Sequence, residues 1–200
     1  MRQRGCLGGM NKPSSRHLLI TGGVRSGKSK YAENQATAMG GQVVYIATAE
    51  ALDDEMAERI ANHRRGRPAD WLTVEEPFDI VSALRKYDRK DFAIIIDCLT
   101  LYLNNLLMRH ENEFMQPEFF HKILREIEGL ADVIMKHQAN IILVTNEVGW
   151  GIVPDNPLAR VFRDIAGKAN QIMAEICDEV YLMVCGIPVL LKGESHVKKV

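Results

Sequence analysis

Gly22-Gly23-Val24-Arg25-Ser26-Gly27-Lys28-Ser29 matches the pattern Gly-x4-Gly-Lys-[Ser/Thr] at every fixed position. Its glycines permit backbone conformations that turn several N–H groups inward, and a helix opening at Lys28 adds partial positive charge. Lys28 can then reach the β- and γ-phosphates of a nucleotide, and the Ser29 hydroxyl can hold Mg²⁺. A chance glycine-rich turn is the competing reading. The context favours the phosphate loop: His17-Leu18-Leu19-Ile20-Thr21 reads as a buried strand before it. Lys28 to Met39 reads as a helix after it, stopped by Gly40-Gly41.

Outward from this loop, apolar runs alternate with helical patterns. Strands are predicted at 42–47 (QVVYIA), 71–74, 92–97 (FAIIID), 140–145 (NIILVT), 180–184 and 189–192, and helices at 53–65, 79–86, 98–107, 118–137 and 158–177. Strands that are apolar throughout are covered on both faces, so the chain reads as an α/β protein with a mostly parallel sheet and helices on both sides. Cys185-Gly186-Ile187-Pro188 reads as the connection of an antiparallel C-terminal edge hairpin. Residues 1–16 read as a flexible N-terminal extension, and 17–200 as a single nucleotide-binding catalytic domain.

A phosphate loop needs a second carboxylate at a strand end for its Mg²⁺. Asp97 closes Ala93-Ile94-Ile95-Ile96 and is placed for that, with a helix N-cap as the alternative. Asp53 and Asp54 suit the positive end of their own helix instead. Thr145, Asn146 and Glu147 follow a strand end, where open α/β sheets bind ligands, and could equally make a turn and cap. The glycine- and proline-bearing VGWGIVPDNP reads as either a closing loop or a rigid connection.

The net charge of −1 argues against bulk capture of nucleic acid or of an anionic membrane. No apolar run approaches the roughly 18 residues that span a bilayer. The four cysteines show neither a zinc pairing nor a disulfide framework, and buried free thiols in a cytoplasmic protein are expected.

Arg59-Ile60-Ala61-Asn62-His63-Arg64-Arg65-Gly66-Arg67 sets one histidine among four arginines. Glu55, Arg59 and His63 share a helix face, while Met56 and Ile60, one position further round, are expected on the sheet. Neighbouring cations disfavour protonating an imidazole, and a neutral imidazole is a competent nucleophile toward phosphorus. Arg64, Arg65 and Arg67 could hold a triphosphate and stabilise charge during transfer. The other reading is a solvated basic helix end carrying a bystander histidine, like His17, His110, His121, His137 and His196. On the residues alone the two readings balance.

Four stretches resemble the bifunctional adenosylcobinamide kinase / adenosylcobinamide-phosphate guanylyltransferase family of cobalamin biosynthesis. They are TGGVRSGKS (21–29), YIATAEALDDEMAERIANHRRGRPADW (45–71), VTNEVGWGIVP (144–154) and RVFRDIAGKANQ (160–171). The likeness runs from about Leu18 to Leu191. It implies a RecA-like P-loop NTPase fold and two reactions. One phosphorylates the aminopropanol hydroxyl of adenosylcobinamide with ATP or GTP. The other moves GMP from GTP, through a covalent GMP-histidine, to adenosylcobinamide phosphate. The family's histidine falls on His63; some members carry a second one where Asn62 stands here. The resemblance further implies nucleotide contacts at Gly22, Gly23, Val24, Arg25, Ser26, Gly27, Lys28 and Ser29. It extends them to Ala47, Thr48, Ala49, Arg64, Arg65, Gly66, Arg67, Glu75 and Asp97, with Lys28 catalytic beside His63. Asp97 stands where some members have glutamate, so both a metal role and a guanosine contact stay open. A homo-oligomer, a trimer, is implied as well.

Two rival readings remain at this stage. In one, a single-activity kinase uses His63 only to position phosphate. In the other, a nucleotide-regulated assembly module has no small-molecule acceptor.

Overall fold

Seven strands form one sheet in the order β3-β2-β4-β5-β1-β6-β7, six of them parallel and only β7 antiparallel. This computed structural model describes residues 15–51, 53–110 and 112–194. The strands are β1 (His17–Gly22), β2 (Gln42–Ala47), β3 (Leu72–Glu75), β4 (Phe92–Asp97), β5 (Asn140–Val144), β6 (Glu179–Val184) and β7 (Ile187–Lys192). The helices are α1 (Lys28–Met39), α2 (Asp54–Arg65), α3 (Ile80–Lys86), α4 (Leu99–Arg109), α5 (Phe119–Lys136) and α6 (Pro157–Ile176).

Alternation along each strand divides the core in two. Leu19, Val44, Ile46, Ile94, Ile96, Ile141 and Leu143 face α3, α4, α5 and α6. Leu18, Ile20, Tyr45, Ile95, Ile142 and Val144 face the other way, where Ala32 and Ala36 of α1 pack on them. This arrangement explains why the central strands are apolar except near their ends: neither face meets water. The long helix α5 buries Phe119, Ile123, Ile127, Leu130 and Ile134, a stripe at helical spacing. In contrast, no described side chain of α2 is fully buried, so this helix lies against the sheet's edge region rather than in its core.

The expected elements are all present, with three differences. Ile187 and Pro188 belong to β7, and the hairpin turns on Cys185 and Gly186 alone, both at positive φ (52° and 81°). That is a two-residue turn whose twist suits the flanking strands, and Pro188 is tolerated because β7 is an edge strand. Second, Ser15 and Arg16, expected in the flexible extension, are held in the fold. Ser15 Oγ donates to the His137 carbonyl at 2.9 Å, and Arg16 donates to both carboxylate oxygens of buried Glu179 at 2.6 Å. Residues 1–14 lie outside the described residues. Third, α4 starts at Leu99 with Cys98 as its cap residue, and the Asp97 carboxylate does not cap it.

Cys98 and Cys177 are buried free thiols, as expected, and Cys185 is exposed. His137 is structural, its Nε2 lying 2.9 Å from the Leu84 carbonyl. Among the described residues no helix is long and apolar enough to cross a membrane.

Candidate active site

The phosphate loop joins β1 to α1 and owes its shape to two glycines. Gly22 has φ +147°, and a Cβ there would stand 2.6 Å from the Met183 carbonyl oxygen; Gly27 has φ +96° and lies against Gly186. Three of the other five helices cap their first turn with a side chain: Asp53 on α2, Asp79 on α3 and Asn156 on α6. By comparison, α1 has Gly27 as its cap residue, no capping side chain and no acidic residue in its first turn. Its orphan N–H groups therefore remain available to an anion. Lys28, buried, donates from Nζ to the Gly23 carbonyl at 2.6 Å, and burial lowers its pKa from the ordinary lysine value.

Above this loop opens a cavity of about 460 Å³ at the C-terminal ends of the strands, a size suited to a small-molecule ligand. Val24, Arg25, Ser26, Gly27, Lys28 and Ser29 form its floor; Ala47, Ala49 and Asp97 come from the ends of β2 and β4; His63 and Arg67 come from α2 and the turn after it. The phosphate loop and the histidine thus meet within one chain. Gly22, Gly23, Thr48, Arg64, Arg65, Gly66 and Glu75 do not line this cavity. Thr48 is fully buried, with its Oγ1 donating to the Cys98 carbonyl at 2.8 Å and accepting from the Cys98 N–H at 2.8 Å. Arg64 pairs with Glu75 at 3.3 Å on the surface, and Arg65 donates to Asn62 Oδ1.

Of the three arginines expected to clamp phosphate, Arg67 is therefore the one that faces the cavity. Its guanidinium carbon lies 3.6 Å over the Tyr45 ring, a cation–π contact, and its Nε is buried with no hydrogen-bond partner among the described residues. Ser26 Oγ is likewise buried and unpartnered. Buried polar atoms are nearly always satisfied, so two such atoms at one cavity fit an anionic ligand.

Tyr45 was not legible as a site residue because its strand is apolar on both sides. It is 1% exposed, and its hydroxyl donates to Asp97 Oδ2. Burial pushes this phenol's pKa up, with the Asp97 charge adding to it, so it remains a donor. Cys98, which follows Asp97 in the chain, also borders the cavity, and burial pushes its thiol up to about 12. Met56 and Ile60 correct the expectation that they pack on the sheet: both line the cavity, because α2 stands over its mouth. The shared face of Glu55, Arg59 and His63 cannot be followed at its first two positions, whose side chains lie outside the described residues.

A phosphate loop, a strand-end carboxylate and a histidine around one cavity define a P-loop transferase that acts on nucleotides. The chain belongs to the cobinamide kinase / cobinamide phosphate guanyltransferase family, whose model matches residues 18–191. It is thus an enzyme, of a family that joins kinase and nucleotidyltransferase activities in cobalamin biosynthesis. It is 46% identical over 180 residues to the bifunctional adenosylcobalamin biosynthesis protein CobU of Salmonella typhimurium and 42% identical to that of Escherichia coli K12. Each alignment covers 88% of this chain and 99% of the relative. The bifunctional adenosylcobalamin biosynthesis protein CobP of Pseudomonas aeruginosa is 44% identical over 88% of this chain and 97% of its own. A solved structure from Pyrococcus horikoshii OT3 superposes with a TM-score of 0.52 over 90% of this chain and 88% of its own; at 8% identity the likeness is one of fold alone.

Proposed function

We propose that this protein carries out both activities of its family through the one cavity. The kinase activity phosphorylates the aminopropanol hydroxyl of adenosylcobinamide with ATP or GTP. In the guanylyltransferase activity, an imidazole nitrogen of His63 attacks the α-phosphorus of GTP. An N–P bond forms, the bond to the bridging oxygen breaks, and pyrophosphate leaves. A phosphate oxygen of adenosylcobinamide phosphate then attacks that phosphorus, the N–P bond breaks, and adenosylcobinamide-GDP is released with His63 restored. Splitting one displacement into two is the general gain of a covalent intermediate. The supporting observation is that His63 and the phosphate loop line the same cavity.

The chain's own residues supply the electrostatics. The N–H groups of α1, Lys28 and Arg67 surround the phosphate chain, and positioning does most of the catalytic work. The Ser29 hydroxyl and the Asp97 oxygen that Tyr45 leaves free suit Mg²⁺, which keeps several waters and binds through one or two protein oxygens plus phosphate. When bound, that ion would neutralise part of the phosphate charge. Arg64, Arg65, Gly66 and Glu75 border the site rather than line it, and we assign their nucleotide contacts to the nucleotide-bound state. A cytoplasmic setting agrees with the free thiols. The exposed Val184, Ile187, Val189 and Leu191 along the edge hairpin support a homo-oligomer, which the family resemblance makes a trimer. Sedimentation of Val189→Glu as a smaller species than the wild type would support that assembly; a wild type that sediments as a monomer would exclude it.

The test uses GTP radiolabelled on its α-phosphate. The protein should become labelled through an acid-labile, base-stable bond, and folded His63→Ala should not. Undiminished labelling of that variant would remove His63 as the nucleophile. Transfer of the γ-phosphate to cobinamide with no labelled protein would favour the single-activity kinase.

A further inference from the structure

β5 lies between β1, which carries the phosphate loop, and β4, which ends at Asp97. Its residue Val144 is in register with Ile20 on one side and with Asp97 on the other. Side chains alternate along a strand, and the alternation continues past the end of β5. Val144 and Asn146 both line the cavity. Thr145 and Glu147 turn the opposite way, into a polar cluster beside α6. There Thr145 Oγ1 donates to Asn170 Oδ1 at 2.8 Å, and Thr21 Oγ1 donates to Glu147 Oε1 at 2.6 Å. Asn170 Nδ2 donates to Glu147 Oε1 and to the Asn146 carbonyl, both at 3.2 Å.

The backbone of Asn146 is consequently fixed on both sides. Its N–H donates to Thr100 Oγ1 at 2.8 Å, its carbonyl accepts from Asn170, and Thr100 and Thr145 touch through their hydroxyls at 3.2 Å. Thr100 and Thr145 are buried. Five side chains from β1, α4, α6 and the end of β5 are committed to holding this one residue and its neighbours. Yet the Asn146 side-chain amide makes no hydrogen bond with any described residue, and it faces the cavity between the phosphate loop and Asp97. A neutral donor held rigidly at that place, and left unpaired by the protein, points to a ligand oxygen.

We propose that Asn146 is a nucleotide-contacting catalytic residue: its Nδ2–H donates to an oxygen of the terminal phosphoryl group seated in the phosphate loop. Thr21, Thr100, Thr145, Glu147 and Asn170 act as positioning residues that aim it. This rests on the nucleotide reading above and deepens it. In the phosphoryl transfer, the acceptor hydroxyl oxygen bonds to the γ-phosphorus as the bond to the β,γ-bridging oxygen breaks. The nucleoside diphosphate leaves and the hydroxyl proton passes to water. Asn146 neither gives nor takes a proton. It stabilises charge that spreads over the transferring oxygens, and as a neutral amide it does so without pairing with the Asp97 carboxylate.

The contact is specific to the third phosphate, so its signature is discrimination between tri- and diphosphate. Binding is measured by displacement of a fluorescent N-methylanthraniloyl-GDP, with GDP and with the non-hydrolysable β,γ-imido analogue of GTP. In Asn146→Ala, affinity for GDP should change by less than about twofold, and affinity for the triphosphate analogue should fall roughly tenfold, as for loss of a hydrogen bond to a charged group. The near-isosteric Asn146→Asp, which keeps the shape of the site, should lower triphosphate affinity further because a carboxylate then faces phosphate. Asn170→Ala should shift the same ratio in the same direction, which a purely structural role would not do. An unchanged ratio in a folded Asn146→Ala or Asn146→Asp overturns the proposal. So does a change confined to the KM for cobinamide, which would make Asn146 a corrinoid contact. Lys28→Ala is the independent control: if it binds nucleotide like the wild type, the phosphate-loop reading itself fails.

Discussion

Tyr45 offers a direct way to test how the site is braced. Its ring is 1% exposed and lies under Arg67, and its hydroxyl donates to Asp97. Tyr45→Phe keeps the ring, the packing and the cation–π contact while deleting one donor. Hydrogen bonds to charged groups contribute about 1.5–3 kcal/mol. Asp97 is only half-buried, so water recovers part of this, and the expected net cost is about 1–2 kcal/mol. For a chain of this size each kcal/mol moves Tm by about 2–4 °C, so the ligand-free variant should melt roughly 2–8 °C lower. Thermal unfolding at neutral pH is the assay; burial keeps the phenol protonated well beyond that pH. Asp97→Ala and the double variant complete a cycle, and the coupling energy between the two positions should match the single Tyr45→Phe loss. Additivity within about 0.5 kcal/mol would refute the reasoning, since independent sites add to that accuracy.

Two further outcomes follow from other buried groups. Burial pushes both the Cys98 thiol and the Tyr102 phenol up to about 12, so the folded state retains these protons at pH values where the unfolded chain has lost them. Stability should therefore hold below about pH 9 and fall steadily between about 9 and 12, read as a lower urea midpoint at pH 10.5 than at pH 8. Arg16→Met should cost about 2 kcal/mol in urea unfolding, because it removes both Arg16 hydrogen bonds to the carboxylate of buried Glu179; a cost below about 0.5 kcal/mol would place Arg16 back in the flexible extension.

The fold was legible wherever a short-range rule governed it. Continuous apolar strands announced a sheet covered on both sides, and the phosphate loop was readable because its backbone demands glycine at Gly22 and Gly27. Ile187-Pro188 reads as part of the turn because a proline ordinarily marks one, whereas an edge strand tolerates it within the strand. Within the site, Lys28, Asp97 and His63 were readable as chemistry-bearing types near strand ends or in a basic run. Tyr45 carries no such sign, and Asn146 reads only as one of three residues after a strand end, as open to a turn and cap as to a ligand, since the roles of both come from register. Only the strand order places Tyr45 beside Asp97 and sets Asn146 between the phosphate loop and that carboxylate. Met56 and Ile60 were assigned to the sheet because helical spacing tells which residues share a face, not what that face looks at. The arginines show the converse: Arg64, Arg65 and Arg67 read as one possible clamp, but the turn after α2 separates them, with Arg67 inward and Arg64 on the surface pair with Glu75.

The turn of the edge hairpin has a mechanical consequence. Gly186 donates its N–H to the Ser26 carbonyl at 3.0 Å, and its Cα would stand 3.2 Å from a Cβ on Gly27. The last two strands are therefore in series with the phosphate loop, like a buttress behind a thin wall. A load applied at β7, whether by trimming, by fusion or by another chain pairing along that edge, is delivered to the peptide groups that receive the nucleotide. At the far end of the sheet, β3 meets the cavity through Arg67, which donates to Thr73 Oγ1 at 3.4 Å, and makes no hydrogen bond to the phosphate loop among the described residues. Two edges of one sheet thus carry very different tolerance to change, and the edge that looks dispensable in a topology diagram is the one that supports the loop.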